Sequence, residues 1–116
     1  MSNDVIDMPE FLERVQNDRE LLVELLDIFC EDYLVKRKSL DASIAAENYE
    51  EVRGAAHSIK GASGNISAKK IHNSCKELEQ LAKDNGDLNR IQAILKNIDQ
   101  QFAEVQKEVV EIKKKS

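Results

Sequence analysis

The chain has 116 residues, of which 34% are charged, 41% hydrophobic and 4% aromatic, with a formal net charge of −5. That length suits one domain with its own core, expected over residues 1–116, and a Leu-, Ile-, Ala-, Glu- and Lys-rich composition with one proline favours helices over a β-sandwich. The acidic balance excludes the basic footprint of a nucleic-acid binder, and no run of about 18 apolar residues is present to span a membrane.

The N-terminal string MSNDVIDMPE has neither a basic start nor an apolar run, so no export signal is read there and a cytoplasmic protein is expected. Asp7-Met8-Pro9-Glu10 then reads as a helix start: Asp7 as N-cap, Pro9 in the first turn, Glu10 as capping-box partner, with a short helix to about Val15. Asp18 caps a longer helix in which Leu22, Leu25, Leu26, Phe29, Cys30 and Tyr33 recur at spacings of three and four. Residues 36–46 either continue that helix through Leu40 and Ile44 or begin another. A further helix runs from about Tyr49 to about Asn65. Ser67 is the expected N-cap of the next, whose buried face is Ile71, Cys75, Leu78, Leu81 and Ala82. Asn85-Gly86 stops it, and Asp87 caps a last helix with the stripe Leu88, Ile91, Leu95, Ile98, Phe102, Val105, Val109 and Ile112. The terminal KKKS puts cations where the helix dipole favours them.

Short connections between long amphipathic helices predict antiparallel neighbours. The expected fold is all-α: an up-down four-helix bundle with a short additional N-terminal helix. The last stripe mixes threes and fours without a sustained heptad, so it is assigned to the core of a monomer rather than to a dimer seam. Cys30 and Cys75 stand alone at no metal-ligand spacing and read as buried free thiols.

The segment AAHSIKGASGNIS, residues 55–67, does not fit this plain scheme. At roughly 100° per residue, Val52, Ala55, Ile59, Ala62 and Ile66 share one direction, which is the core. His57 points nearly opposite, together with Arg53, Gly54, Lys60, Gly61 and Gly64. An ordinary solvated histidine leaves those helical glycines unexplained, although they cost roughly 2–3 kcal/mol in helix propensity. Glycine is useful where another molecule must reach a side chain without obstruction.

An exposed imidazole offers a neutral ring nitrogen near pH 7, and its lone pair is a nucleophile. No local Ser or Cys with a base suggests acyl transfer. Lys60 and Arg53, one turn to either side, are cations placed to neutralise a dianionic group added to the ring, which favours phosphoryl chemistry.

The string AHSIKGASGNISA, with Ala56, His57, Ile59, Lys60, Gly61, Ala62, Ser63, Ile66 and Ala68, resembles the signature of histidine phosphotransfer (HPt) domains. DRELLVELLDIFCEDY is similar to the family's leading long helix, and IHNSCKELEQLAKDNGDLNRI to its later helices. Ser67 stands where the family often carries glycine, and Asn48-Tyr49 where it often has a Gly-Asp turn. The resemblance implies a four-helix bundle that carries a phosphoryl group on histidine between receiver-domain aspartates. Such a protein is a carrier and not an enzyme with an ATP site. It needs no cofactor of its own, with Mg²⁺ on the partner receiver. By the same resemblance His57 is the phosphorylated residue, Lys60 the phosphate-neutralising neighbour, and Gly61 the gap for the receiver. Gly64 falls where small residues are tolerated. A docking or access role for Gly54 and Arg53 comes from the helical wheel alone.

The implied partners are response-regulator receivers or a hybrid sensor histidine kinase. Two other functions remain: an adaptor that binds receivers without being phosphorylated, and a histidine module phosphorylated in trans by a chemotaxis-type kinase. His72, Cys75 and Glu79 share a helix face, but without ligands from a second helix no metal site is expected. Lys69, Lys70 and Lys76 form a solvated face that could bias docking toward an acidic receiver.

Overall fold

Most of the helices begin where a short polar side chain captures a free backbone N–H. In the computed structural model, which describes residues 5–115, Asp7 caps α1 (Met8–Arg14) by accepting from Glu10 N at 3.2 Å. Asp18 caps α2 (Arg19–Ala45) from Leu21 N at 3.0 Å, and Asn48 caps α3 (Tyr49–Asn65) from Glu51 N at 3.1 Å. Asp87 caps α5 (Leu88–Lys114) from Asn89 N at 2.8 Å. α4 (Lys69–Lys83) has no side-chain cap, and Ala68 precedes it. The readings of residues 1–4 and of Ser116 lie outside the described residues.

Residues 36–46 continue α2 without a break to Ala45. α2 and α5, at 27 residues each, run about 40 Å at 1.5 Å per residue, which accounts for the 43 Å long dimension of the molecule. α3 packs between α2 and α4, and α5 closes the ring against both α2 and α4. This is the expected antiparallel four-helix bundle.

Its core is built from the predicted stripes: Leu22, Leu26, Phe29 and Tyr33 of α2, Val52 and Ile59 of α3, Ile71, Cys75 and Leu78 of α4, and the α5 series to Ile112. The buried arc of α3 is wider than its apolar stripe. Ala56 and Ser63 are fully buried, whereas Ala55 and Ala62 are only partly so, because α3 has a neighbour on each side. Tyr33 stacks on Phe102 with ring centroids 4.0 Å apart. Its hydroxyl donates to Asp99 at 2.7 Å, and Arg37 donates twice to the same carboxylate, at 2.8 and 3.1 Å. Burial pushes the Asp99 pKa up, but the bonds from Arg37 and Tyr33 outweigh it and hold the carboxyl below its usual range.

The turns between helices take their left-handed residues from outside the glycines: Gln16 and Asn17, Glu47, Ser67, and Asn85 all have positive φ. Gly86 follows Asn85 for a different reason. A Cβ there would lie 2.9 Å from the Leu81 side chain and 3.0 Å from its carbonyl oxygen.

Two expectations at the α3–α4 turn are corrected. Ser67 does not cap α4. With φ of 59° and 1% exposure, it sits inside the turn and its hydroxyl donates to Glu10 Oε1 at 2.7 Å. Glu10 is thereby drawn away from its own helix start, so the capping box of α1 is only half formed. The Ser67 carbonyl accepts from Asp7 N at 2.9 Å, and Lys69 Nζ lies 3.1 Å from Asp7 Oδ2 and 3.0 Å from Glu10 Oε2. These bonds fasten α1 over the turn, with Phe11 and Ile6 buried. They also hold both carboxyls below the usual range: Asp7 chiefly through the Glu10 N–H, Glu10 chiefly through Ser67, and each also through Lys69.

Candidate functional site

His57 stands at the middle of α3 on the face away from α2 and the core, with its side chain 67% exposed. Its ring is not free. Nδ1 lies 2.9 Å from Glu79 Oε2 on α4, and Lys60 Nζ lies 2.7 Å from Glu79 Oε1. One carboxylate thus bridges the histidine and the lysine a turn further on. The carboxylate can only accept, so in the neutral ring Nδ1 carries the proton and the Nε2 lone pair points outward. The hydrogen bond from Lys60, followed by that from His57, holds the Glu79 carboxyl below its usual range, so it remains a carboxylate at neutral pH.

The spacing of α3 and α4 beneath this bridge is fixed by a second histidine. His72 Nδ1 donates to the Lys60 carbonyl at 2.9 Å, and Ser63 Oγ donates to the same oxygen at 2.9 Å. The His72 ring lies over Gly64, where a Cβ would meet Nδ1 at 3.3 Å. Gly64 therefore belongs to the α3–α4 contact and not to the open face on which the wheel placed it. At Gly54 and Gly61 a Cβ would meet nothing within 4 Å, and both are exposed beside His57.

Arg53 is paired with Glu50 one turn back on α3. It also helps to line a shallow cleft of about 280 Å³ between α3 and α4, with Lys60, Lys76, Glu79, Gln80 and Lys83. Of the α4 lysines singled out in the sequence, Lys76 is in this cleft and Lys69 is tied to α1. Lys70 is exposed and does not line it. His72, Cys75 and Glu79 do not converge: His72 is engaged by Lys60, Glu79 by His57 and Lys60, and burial pushes the Cys75 thiol up to about 12. Cys30 is free and half-buried.

The role of Glu79 escaped sequence reasoning, which saw it only as a third metal candidate. A usable signal was present. His57 and Glu79 lie equally far in sequence from Ala68, and residues equidistant from a tight turn between antiparallel helices face each other.

Among the described residues, no helix is long and apolar enough to cross a membrane, and no group of three or more His, Cys, Asp and Glu is placed to hold a metal. The sequence model of the Hpt domain family matches residues 24–108. Among solved structures, the chain is similar to the crystal structure of histidine-containing phosphotransfer protein B (HptB) from Pseudomonas aeruginosa PAO1. The identity is 28% and the TM-score 0.89, over 99% of each chain. A comparison with curated proteins gives no match.

Proposed function

Because this chain belongs to the Hpt domain family, we propose that it is a phosphorelay carrier that accepts a phosphoryl group on His57 from a receiver aspartate and hands it to another receiver. The observation that carries this reading is the Glu79 bridge. It presents Nε2 as an outward nucleophile on an exposed ring. In the forward step the Nε2 lone pair attacks phosphorus, the N–P bond forms, and the P–O bond to the partner's aspartate breaks, releasing its carboxylate. The ring keeps its Nδ1 proton and becomes cationic, and Glu79 stabilises that charge at 2.9 Å. Return of the phosphoryl group to an aspartate reverses these bonds.

Lys60 serves the same site as a nearby cation. In the resting protein it neutralises Glu79, and once a dianion is attached to the ring it has a second acceptor within a turn of helix. Gly61 leaves the approach open, since nothing stands within 4 Å of where a side chain would begin. Mg²⁺ and the ATP-derived chemistry reside with the partners, receivers or a hybrid sensor kinase. The likeness to HptB, a histidine-containing phosphotransfer protein, supports the same assignment.

The test is incubation with a panel of phosphorylated receivers, followed by assay of acid-labile, alkali-stable label on this chain. Wild type takes up label and His57→Gln does not. Failure of wild type to label from any receiver, or equal labelling of His57→Gln, overturns the proposal.

A further inference from the structure

The Lys60 carbonyl receives more donors than a helix interior requires. Within α3 it takes the N–H of Gly64, four residues on, as interior helical carbonyls do. Beside that bond it accepts from Ser63 Oγ at 2.9 Å and, across the helix boundary, from His72 Nδ1 at 2.9 Å. A carbonyl oxygen has two lone pairs, so the bond from His72 is not needed to satisfy this acceptor. The sequence nevertheless makes room for it. The imidazole lies over Gly64, where a Cβ would stand 3.3 Å from Nδ1, and glycine is among the weakest helix formers.

Among the described residues, side-chain hydrogen bonds and ion pairs join α3 to α4 at two places, and Lys60 is present at both. Its carbonyl accepts from His72, and its ammonium reaches Glu79 Oε1 at 2.7 Å, where His57 completes the second place at 2.9 Å. The first turn of α4 has no side-chain cap to hold it, since Ala68 supplies none. Glu79 stands eleven residues beyond Ala68, about 16 Å along the axis. A tilt of α4 by about 5° moves its carboxylate by roughly 1.4 Å, enough to lose both bonds of the bridge. The buried faces of Ile71, Cys75 and Leu78 keep α4 on the bundle, but apolar burial is non-directional and resists so small a shift less than a hydrogen bond does.

We infer that His72 is a positioning residue for phosphoryl transfer: it holds the Lys60 backbone and the register of α3 on α4, so that Glu79 stays within bonding distance of His57 Nδ1. The inference rests on the proposed function and adds a residue that acts through Lys60 and Glu79 rather than on the phosphoryl group. In the resting protein the Glu79 carboxylate has two partners. Once Lys60 turns toward a dianion on the His57 ring, Glu79 keeps only the imidazole, and the His72 bond is the other polar link left between the helices. Without it the Nδ1 proton loses its fixed acceptor, the ring samples both tautomers, and Nε2 is less often the free nucleophile. His72 lies on the α4 side of α3, whereas Gly54 and Gly61 leave the approach to His57 open, so its loss slows the transfer step and spares docking.

Three substitutions in the full chain test it. His72→Asn places an amide N–H where Nδ1 stands, His72→Phe keeps a ring without a donor, and His72→Ala removes both. With a receiver that labels the chain, His72→Phe and His72→Ala are expected to lower kcat about three- to tenfold at unchanged KM, as for one lost hydrogen bond, and His72→Asn to remain within about twofold of wild type. Gly64→Ala/His72→Ala refills the space with methyl groups and is expected to stay slow. ¹⁵N spectra of the His57 ring, recorded without any receiver, are expected to show one tautomer in wild type and His72→Asn and a mixture in His72→Phe. Wild-type kcat in His72→Phe or in the double variant, a His72→Asn variant as slow as His72→Ala, or a rise in KM at unchanged kcat overturns the inference. If no receiver labels His57, the proposed function fails and the ring spectra alone decide: a single tautomer in His72→Phe refutes the role of His72, and a mixture upholds it.

Discussion

Gly54, Gly61 and Gly64 share one helix, yet replacing each with alanine has different consequences. At Gly54 and Gly61 a new Cβ meets no atom within 4 Å, and neither residue has a positive φ. Alanine should therefore stabilise the protein by about 0.5–1 kcal/mol at each site, the helix-propensity difference. The two positions are two turns apart and share no partner, so the double variant should gain about 1–2 kcal/mol, which raises Tm by roughly 3–10 °C for a domain of this size. At Gly64 the Cβ would stand 3.3 Å from His72 Nδ1 and 3.7 Å from Cε1. The ring must give way, and its Nδ1 bond to the Lys60 carbonyl is at stake, worth about 1 kcal/mol. Gly64→Ala should be neutral or destabilising by up to about 1 kcal/mol. Thermal and urea unfolding of the four variants decide the matter. A gain at Gly64 equal to those at Gly54 and Gly61, or a loss at Gly54, would refute this reading of the α3–α4 contact. Gly61→Ala also separates stability from function: it should fold more stably and yet transfer phosphoryl more slowly, because the methyl stands one turn from His57 on the open face. If Gly61→Ala and Gly61→Glu both transfer as wild type does, the glycine is not there for access.

Replacing Glu79 with Gln keeps an oxygen near His57 Nδ1 but exchanges a charge-assisted hydrogen bond for a neutral one, a loss of about 1–1.5 kcal/mol. The rate of phosphoryl transfer at saturating receiver should fall about tenfold, and ¹⁵N spectra of the ring should show a mixture of tautomers; wild-type rates with an unchanged spectrum would contradict the proposed role. Ser67→Ala should cost about 0.5–1.5 kcal/mol, because one hydrogen bond is lost while Glu10 keeps Lys69 and the left-handed backbone remains. Ser67→Gly should recover roughly 1 kcal/mol of that by relieving the φ of 59°, and an alanine variant more stable than the glycine variant in urea would count against it. The carboxyls of Asp7, Glu10, Glu79 and Asp99 ionise at lower pH in the fold than the ordinary values of 3.8 for Asp and 4.5 for Glu. Their stabilisation is therefore complete above that range and is lost as pH falls through the lowered values. The urea midpoint should drop on acidification below about pH 4.5, and a midpoint that held constant down to pH 3 would exclude these pairs as contributors.

Much of the bundle was legible because its information is local. Asp7, Asp18, Asn48 and Asp87 each accept from an N–H two or three residues on, and the α5 stripe from Leu88 to Ile112 repeats at helical spacing. Ser67 was misread because a serine before a helix looks like a cap, whereas its hydroxyl is claimed by Glu10, 57 residues away in sequence. Gly64 was misplaced for a related reason. A wheel gives direction around one helix but not where the neighbouring helix lies, and α4 covers that side of α3 through His72. His57 and Lys60 stood out on their own helix, while the carboxylate joining them comes from α4, 22 residues beyond His57. Pairings of that kind depend on how two helices register, which no single-helix pattern encodes.

The tight turn at Ser67 has a bearing on how the chain tolerates changes of length. Helices that meet about a fixed pivot keep opposite residues in step only while the residue count on each side is unchanged, and one added residue rotates everything beyond it by about 100°. Ser67 is 1% exposed and bonded to Asp7 N through its carbonyl and to Glu10 through its hydroxyl, which leaves no slack to absorb an insertion. A residue inserted between Ile66 and Lys69 would carry Glu79 out of reach of His57 and Lys60, whereas Glu47 and Asp84, on exposed turns at the opposite end of α3 and α4, are the places to attach a tag or a probe.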